Sequence, residues 1–137
     1  MTTLELLQHA KNAKRAMALA TSDIKNTALV AMAMALEKRA PSILTANATD
    51  MEAARGTVSD VMLDRLALSP ERIADMADGV RKVAALPDPV GLVLRREEQP
   101  NGLVIERTAI PMGVVAIIYE SRPNVTSDAA ALALKAG

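Results

Sequence analysis

Ile110-Pro111-Met112-Gly113-Val114-Val115-Ala116-Ile117-Ile118-Tyr119-Glu120-Ser121-Arg122-Pro123-Asn124-Val125-Thr126 is the stretch on which the fold turns. Its first part, Gly113 to Tyr119, is almost wholly apolar and rich in Val and Ile, and it does not alternate. That pattern belongs to a strand covered on both faces, as in a parallel sheet. A polar loop interrupted by Pro123 follows, and then a helix for which Thr126, Ser127 and Asp128 offer caps. An open α/β sheet places its ligand site at such a point, outside the carboxyl end of a strand. The class read here is therefore α/β.

Upstream of this stretch the pattern changes twice. Leu92 to Arg96 and Leu103 to Arg107 are strand-like runs, separated by Glu97-Glu98-Gln99-Pro100-Asn101-Gly102. Asn-Gly tolerates positive φ, so the spacing predicts a hairpin. Its charged ends predict exposure, and its aliphatic middle predicts a face that meets another element. Glu97 and Glu98 beside Arg95 and Arg96 read as solvated turn charges, worth roughly 0–1 kcal/mol per pair.

Before Pro89 the chain is helical. Leu6, Ala10, Ala13, Met17 and Ala20 form one stripe of a helix over about 4–20. Thr21 and Ser22 cap a second helix that ends near Ala40; Ile24, Ala28, Ala31 and Ala35 make its main stripe, widened by Leu29, Met32 and Leu36. Pro41 opens a short third helix. Thr49-Asp50-Met51-Glu52 has capping-box spacing, and Gly56 offers a stop. Ser59 caps another short helix through Leu66. Ser69-Pro70-Glu71 starts a longer one with Ile73, Ala77, Val80 and Ala84 at helical spacing, and Leu86-Pro87-Asp88-Pro89 ends it.

Composition narrows the function. The 137 residues have no net charge, half of them are hydrophobic, and Tyr119 is the one aromatic residue. No basic stripe and no stacking platform speak for nucleic acid. There is no cysteine, so these residues supply no disulfide, thiolate metal site or thiol nucleophile. His9 is the single histidine, and neither a His-based triad nor a zinc site has a second one. The eight methionines read as core packing. The amino terminus shows no signal-peptide pattern, and no apolar run approaches the ~18 residues of a membrane span. The expectation is a soluble intracellular protein without a membrane or nucleic-acid partner.

No GxGxxG, phosphate loop or HExxH occurs. The loop after Tyr119 carries the candidate chemistry. Arg122 can hold a carboxylate or phosphate in two-pronged fashion. Ser121 and Asn124 can donate to a developing oxyanion, and Glu120 can accept from a ribose hydroxyl. Spacing supports equally well a local role, in which these groups cap the next helix.

The wording of this region resembles the γ-glutamyl phosphate reductase (glutamate-5-semialdehyde dehydrogenase) family of the aldehyde dehydrogenase superfamily. The resemblance is carried by Ile110 to Val115 and Tyr119 to Thr126, by Asp64-Arg65-Leu66 and Pro70-Glu71-Arg72-Ile73, and by Ala84 to Gly91. It spans the chain and the amino-terminal part of the enzyme. It implies an aldehyde dehydrogenase-like fold, with residues 1–90 as a helical layer of the cofactor domain, 91–109 as the β-hairpin of an oligomerisation element, and 110–137 as the first strand, loop and helix of a Rossmann-like NADP-binding domain, truncated.

The activity implied is NADPH-dependent reduction of L-glutamyl 5-phosphate to L-glutamate 5-semialdehyde and phosphate, in L-proline biosynthesis. A cysteine attacks the acyl phosphate and displaces phosphate, and hydride reduces the thioester. That cysteine is absent here, so the chain alone is expected to be inactive. The resemblance places Ile118, Tyr119, Glu120 and Ser121 along the cofactor NADP, and Arg122 and Asn124 by the acyl phosphate. A homo-oligomer and glutamate 5-kinase are the implied protein partners. In the wider superfamily the loop reads Pro-Trp-Asn-x-Pro and its Asn holds the oxyanion. Aligned on Pro123 that Asn falls at Ser121, a departure that leaves the task to Asn124 or a backbone N–H. The other class of function considered is a non-catalytic assembly module of the same fold.

Overall fold

In the computed structural model, residues 2–120 and 122–137 are described. Six helices and one hairpin follow in the order α1 (Thr3–Ala18), α2 (Ser22–Lys38), α3 (Ala40–Ala54), α4 (Asp60–Leu66), α5 (Pro70–Ala85), β1 (Val93–Glu98), β2 (Val104–Thr108) and α6 (Pro123–Ala136). Side-chain caps set several starts. Thr21, Ser59 and Ser69 accept from the N–H groups of Ile24, Met62 and Arg72. Thr2 and Glu5 form a reciprocal capping box on α1. Gly56, at φ +74°, lies just past the end of α3.

The core lies where α2, α5 and α6 meet. Leu29 and Ala33 of α2, Ala77 and Val80 of α5 and Ala131 of α6 are fully buried together. Three of these five are alanines, so the helix axes can approach closely. Met32, Leu36, Val83, Ala84 and Leu134 close the rim. The Arg81 guanidinium meets the Glu37 carboxylate with both prongs, at 2.8 and 2.6 Å, and ties α5 to α2 across the surface.

Several expectations need correction. The buried line of α2 is Lys25, Leu29 and Ala33, whereas Ile24, Ala31 and Ala35 face outward. This helix is apolar around most of its circumference, so the packing of α5 and α6 chose the face. No helix starts at Thr49: α3 runs unbroken from Ala40, and the Thr49 hydroxyl donates to Thr45 O at 3.4 Å inside it. In α1 none of the stripe residues is buried; Ala10, Ala13 and Met17 only flank Gly113–Val115 and the end of α6. Helix α6 begins at Pro123, not at the polar trio further on, because proline suits a first turn that has no N–H partner to lose.

The hairpin forms, but with a shorter turn than read: Glu97 and Glu98, expected in the turn, belong to β1 and pair with Ile105 and Val104. β1 and β2 pair antiparallel with Arg96 opposite Glu106 and Glu98 opposite Val104. Gly102, at φ +82°, donates to Gln99 O at 2.9 Å, and Asn101 Oδ1 accepts from Leu103 N at 3.1 Å. The charged residues pair within the hairpin, Arg95 with Glu97 and Arg96 with Glu106. The aliphatic residues, by contrast, do not gather on one face: Val93, Leu94, Val104 and Ile105 are all exposed, and the successive residues Val104 and Ile105 point to opposite sides of the hairpin.

Residues 113–119 form no ladder, contrary to the strand read from the sequence. A strand exists by its pairing, and the one sheet among the described residues is the hairpin. The segment is instead tied at its root to the end of α6. Met112 N donates to Ala136 O at 3.3 Å and Gly113 N to Gly137 O at 3.0 Å. Gly137, at φ +85°, is pressed so close that a Cβ there would stand 3.1 Å from Pro111 and 3.2 Å from Val90. From Val114 to Glu120 every side chain is exposed.

Candidate functional site

The loop after Tyr119 opens onto a cleft of about 450 Å³ between the α4–α5 turn and the start of α6. Arg122, Pro123 and Asn124 form one wall, and Asp64, Arg65 and Arg72 form the opposite one. Asp75 and Asp128 complete its charged lining, and Met76 and Leu68 its apolar lining. A second groove of about 540 Å³, largely apolar, continues from it over α2, α3 and α6 and shares Leu68, Met76 and Pro123.

The turn that forms the far wall is held rigidly. Asn47, only 6% exposed, donates through Nδ2 to Leu66 O at 2.9 Å and accepts through Oδ1 from Leu68 N at 2.8 Å. One amide thus replaces both partners that a strand neighbour would give this turn. Arg72 reaches back from α5 to Asp64 O, to Ala67 O at 2.7 Å and to the Asp64 carboxylate at 2.9 Å. Its charge is committed to the scaffold. Arg65 and Arg122 form no ion pair among the described residues.

The sequence-predicted residues divide. Arg122 and Asn124 line the cleft. Asn124 also pairs locally, donating to Asp128 Oδ2 at 3.1 Å within the first turn of α6. The Tyr119 hydroxyl bonds to the Thr126 hydroxyl, and Ser127 Oγ donates to Asn124 O at 2.8 Å. The local reading of this loop is therefore realised in part. Ile118 is fully exposed, Tyr119 and Glu120 are exposed beside it on the unpaired segment, and none of the three lines the cleft. Ser121 lies outside the described residues. His9 is exposed on α1, and no cluster of metal-ligating side chains occurs among the described residues.

Residue-by-residue reading passed over the groups that tie together the other end of the helical layer, at the carboxyl ends of α5 and α6. Asp88 draws together Ser22 (2.8 Å), Lys25 (3.1 Å to each carboxylate oxygen) and Val90 N (3.0 Å). Burial alone would raise the Asp88 carboxyl; the Val90 N–H, the Ser22 hydroxyl and the Lys25 ammonium together hold it below its ordinary range. Lys135, 4% exposed, donates to Asn26 Oδ1 at 2.7 Å and Ala84 O at 2.9 Å. The available signal was the family-like wording of Asp64-Arg65-Leu66, Pro70 to Ile73 and Ala84 to Gly91, which includes Arg65, Arg72 and Asp88. Asn47 and Lys25 left no such signal.

Comparison with known proteins agrees with that wording. No family model matches the chain. A γ-glutamyl phosphate reductase of Neisseria meningitidis is 56% identical over 135 residues, which is 98% of this chain and 32% of that protein. The crystal structure of the γ-glutamyl phosphate reductase of Thermotoga maritima superposes with a TM-score of 0.92 at 41% identity, over 97% of this chain and 32% of that one. The Saccharomyces cerevisiae enzyme of the same name gives 0.90 at 30% identity, over 99% and 35%. The chain thus spans about a third of the length of the relatives it matches. Over nearly its whole length this α/β chain is homologous to the amino-terminal part of γ-glutamyl phosphate reductase and shares the fold of that part.

Proposed function

We propose that this chain serves as the amino-terminal portion of an NADPH-dependent γ-glutamyl phosphate reductase, which converts L-glutamyl 5-phosphate to L-glutamate 5-semialdehyde and phosphate in proline biosynthesis, in the cytoplasm. The observation that carries the reading is the 56% identity across the chain, joined to the 0.92 superposition. No helix among the described residues is long and apolar enough to cross a membrane, in keeping with a biosynthetic enzyme.

The residues suit a share of this chemistry and not the whole of it. Ile118, Tyr119 and Glu120 offer an exposed aliphatic chain, a phenol and a carboxylate in succession, which fits the apolar face and the ribose hydroxyls of a nicotinamide nucleotide; Ser121 is the fourth residue of this set. When bound, that nucleotide supplies the hydride. Arg122 and Asn124 hold the substrate from the cleft side. The attacking thiol must come from residues beyond these 137, because they hold no cysteine. The chain by itself is therefore inactive.

The extents 1–90, 91–109 and 110–137 remain our division into helical layer, assembly hairpin and start of the NADP domain. The bare aliphatic hairpin supports homo-oligomer formation through it. Glutamate 5-kinase, which makes the acyl phosphate, is the protein partner this reading carries.

The test is a graft. The corresponding segment of an active γ-glutamyl phosphate reductase is replaced by this chain, and NADPH oxidation dependent on L-glutamyl 5-phosphate is followed. Activity within about tenfold of the parent supports the assignment. A folded, inactive graft turns the reading to the non-catalytic assembly module, which the exposed aliphatic hairpin also favours.

A further inference from the structure

The cleft in front of Arg122 has an unusual charge inventory. Three guanidiniums, Arg65, Arg72 and Arg122, and three carboxylates, Asp64, Asp75 and Asp128, line it. Arg72 and Asp64 pair with each other at 2.9 Å. That leaves two cations and two anions, and none of the four forms an ion pair among the described residues. Arg65 comes from the last turn of α4 and Arg122 from the residue preceding α6, so two distant parts of the chain supply the cations. Asp75 lies on α5 and Asp128 on α6.

A site for a lone phosphate would gather cations and exclude carboxylates, since like charge against a dianion is repulsive at short range. A balanced set of opposite charges suits a ligand that is itself a zwitterion. An α-amino acid is one: its carboxylate matches the fork of a guanidinium, and its ammonium needs acceptor-only oxygens. The rigid turn behind Arg65, fixed by Asn47 and Arg72, gives the site a preorganised wall.

We infer that this cleft is a recognition site for the α-amino-acid end of a ligand, with Arg65 and Arg122 taking the α-carboxylate and Asp75 and Asp128 the α-ammonium. The inference rests on the reductase reading for the identity of that ligand, the glutamyl moiety of the substrate. It moves Arg122 from the acyl phosphate, where the family resemblance put it, to the opposite end of the substrate. It adds Arg65, Asp75 and Asp128 as substrate-binding residues.

The experiment is an NMR titration of the 137-residue chain, in low-salt buffer so that exposed charges are not screened. The probes are L-glutamate, glutarate (no α-ammonium), 4-aminobutyrate (no α-carboxylate) and inorganic phosphate. The expected result is saturable shifts for L-glutamate at the Nε–H groups of Arg65 and Arg122 and at the amides of Ala67 and Asn124. The other three probes bind at least fivefold more weakly. Arg65→Gln and Asp75→Asn, both exposed side chains whose loss leaves the core intact, each weaken L-glutamate by fivefold or more, while hairpin resonances stay in place.

No saturable shift with L-glutamate overturns the inference. So does equal binding of glutarate or phosphate, or unchanged affinity in both variants. The graft assay separates the two proposals. Zwitterion-selective binding with an inactive graft sinks the reductase reading and keeps the site. An active graft without zwitterion selectivity does the reverse.

Discussion

The ammonium of Lys25, 1% exposed in the first turn of α2, sits 3.1 Å from both carboxylate oxygens of Asp88, in the proline-flanked segment after α5. The pair joins the start of the helical core to the strand-like half of the chain. Lys25 also reaches Lys135 O at 3.4 Å, and so touches α6 as well. A buried ion pair stabilises little over an apolar pair of the same shape, yet removing one partner strands the other charge.

Asp88→Asn should therefore cost about 3 kcal/mol, the lower end of what an orphaned buried charge loses. Urea unfolding at pH 7 checks this through the midpoint at constant m. A loss below about 1 kcal/mol would mean that Lys25 finds water or swings out at little cost.

The same carboxylate sets an acid limit. Its folded-state pKa lies below its ordinary value, so its contribution is complete above the unfolded value of about 4 and vanishes as pH falls through the lower folded one. The wild-type chain should lose stability between neutral pH and pH 3 more steeply than Asp88→Asn does. Parallel pH profiles for the two would remove Asp88 from the acid transition. Glu37, lowered chiefly by its hydrogen bond from Arg81, acts in the same direction from the surface.

Asn47→Ala should destabilise by about 2 kcal/mol, since it deletes two hydrogen bonds and leaves the Leu68 N–H without its acceptor. Hydrogen exchange gives a sharper readout. The Leu68 amide should lose protection more than amides in the middle of α5. Uniform loss across both would show that Asn47 supports the fold generally and not this turn.

The exposed aliphatic hairpin and the unpaired 113–119 segment should make the isolated chain associate as concentration rises. Sedimentation velocity across a hundredfold range of concentration measures it, and Ile105→Lys should shift the equilibrium toward monomer. A monomer throughout would leave the hairpin without a role in assembly.

In a graft that proves active, Arg122→Ala should raise KM for L-glutamyl 5-phosphate tenfold or more while kcat falls less, the signature of lost substrate binding. Equal loss in kcat and kcat/KM would place Arg122 at the reacting atoms instead. Unchanged kinetics would remove it from the site.

Local chemistry in the sequence determined the elements that carry their own instructions. Thr21, Ser59 and Ser69-Pro70 announce helix starts because a hydroxyl and a fixed φ satisfy orphan N–H groups within one turn. Asn101-Gly102 announces the hairpin for the same local reason. The loop wording singled out Arg122 and Asn124, and both line the cleft. Tertiary structure alone decided the rest. It chose the Lys25 face of α2, because a helix apolar on most sides has no preferred inside until α5 and α6 pack on it. It left 113–119 unpaired, because a strand needs a neighbour and its own residues cannot provide one. It brought Arg65 to Arg122, because a cleft is formed by distant segments meeting and no spacing along the chain encodes that encounter.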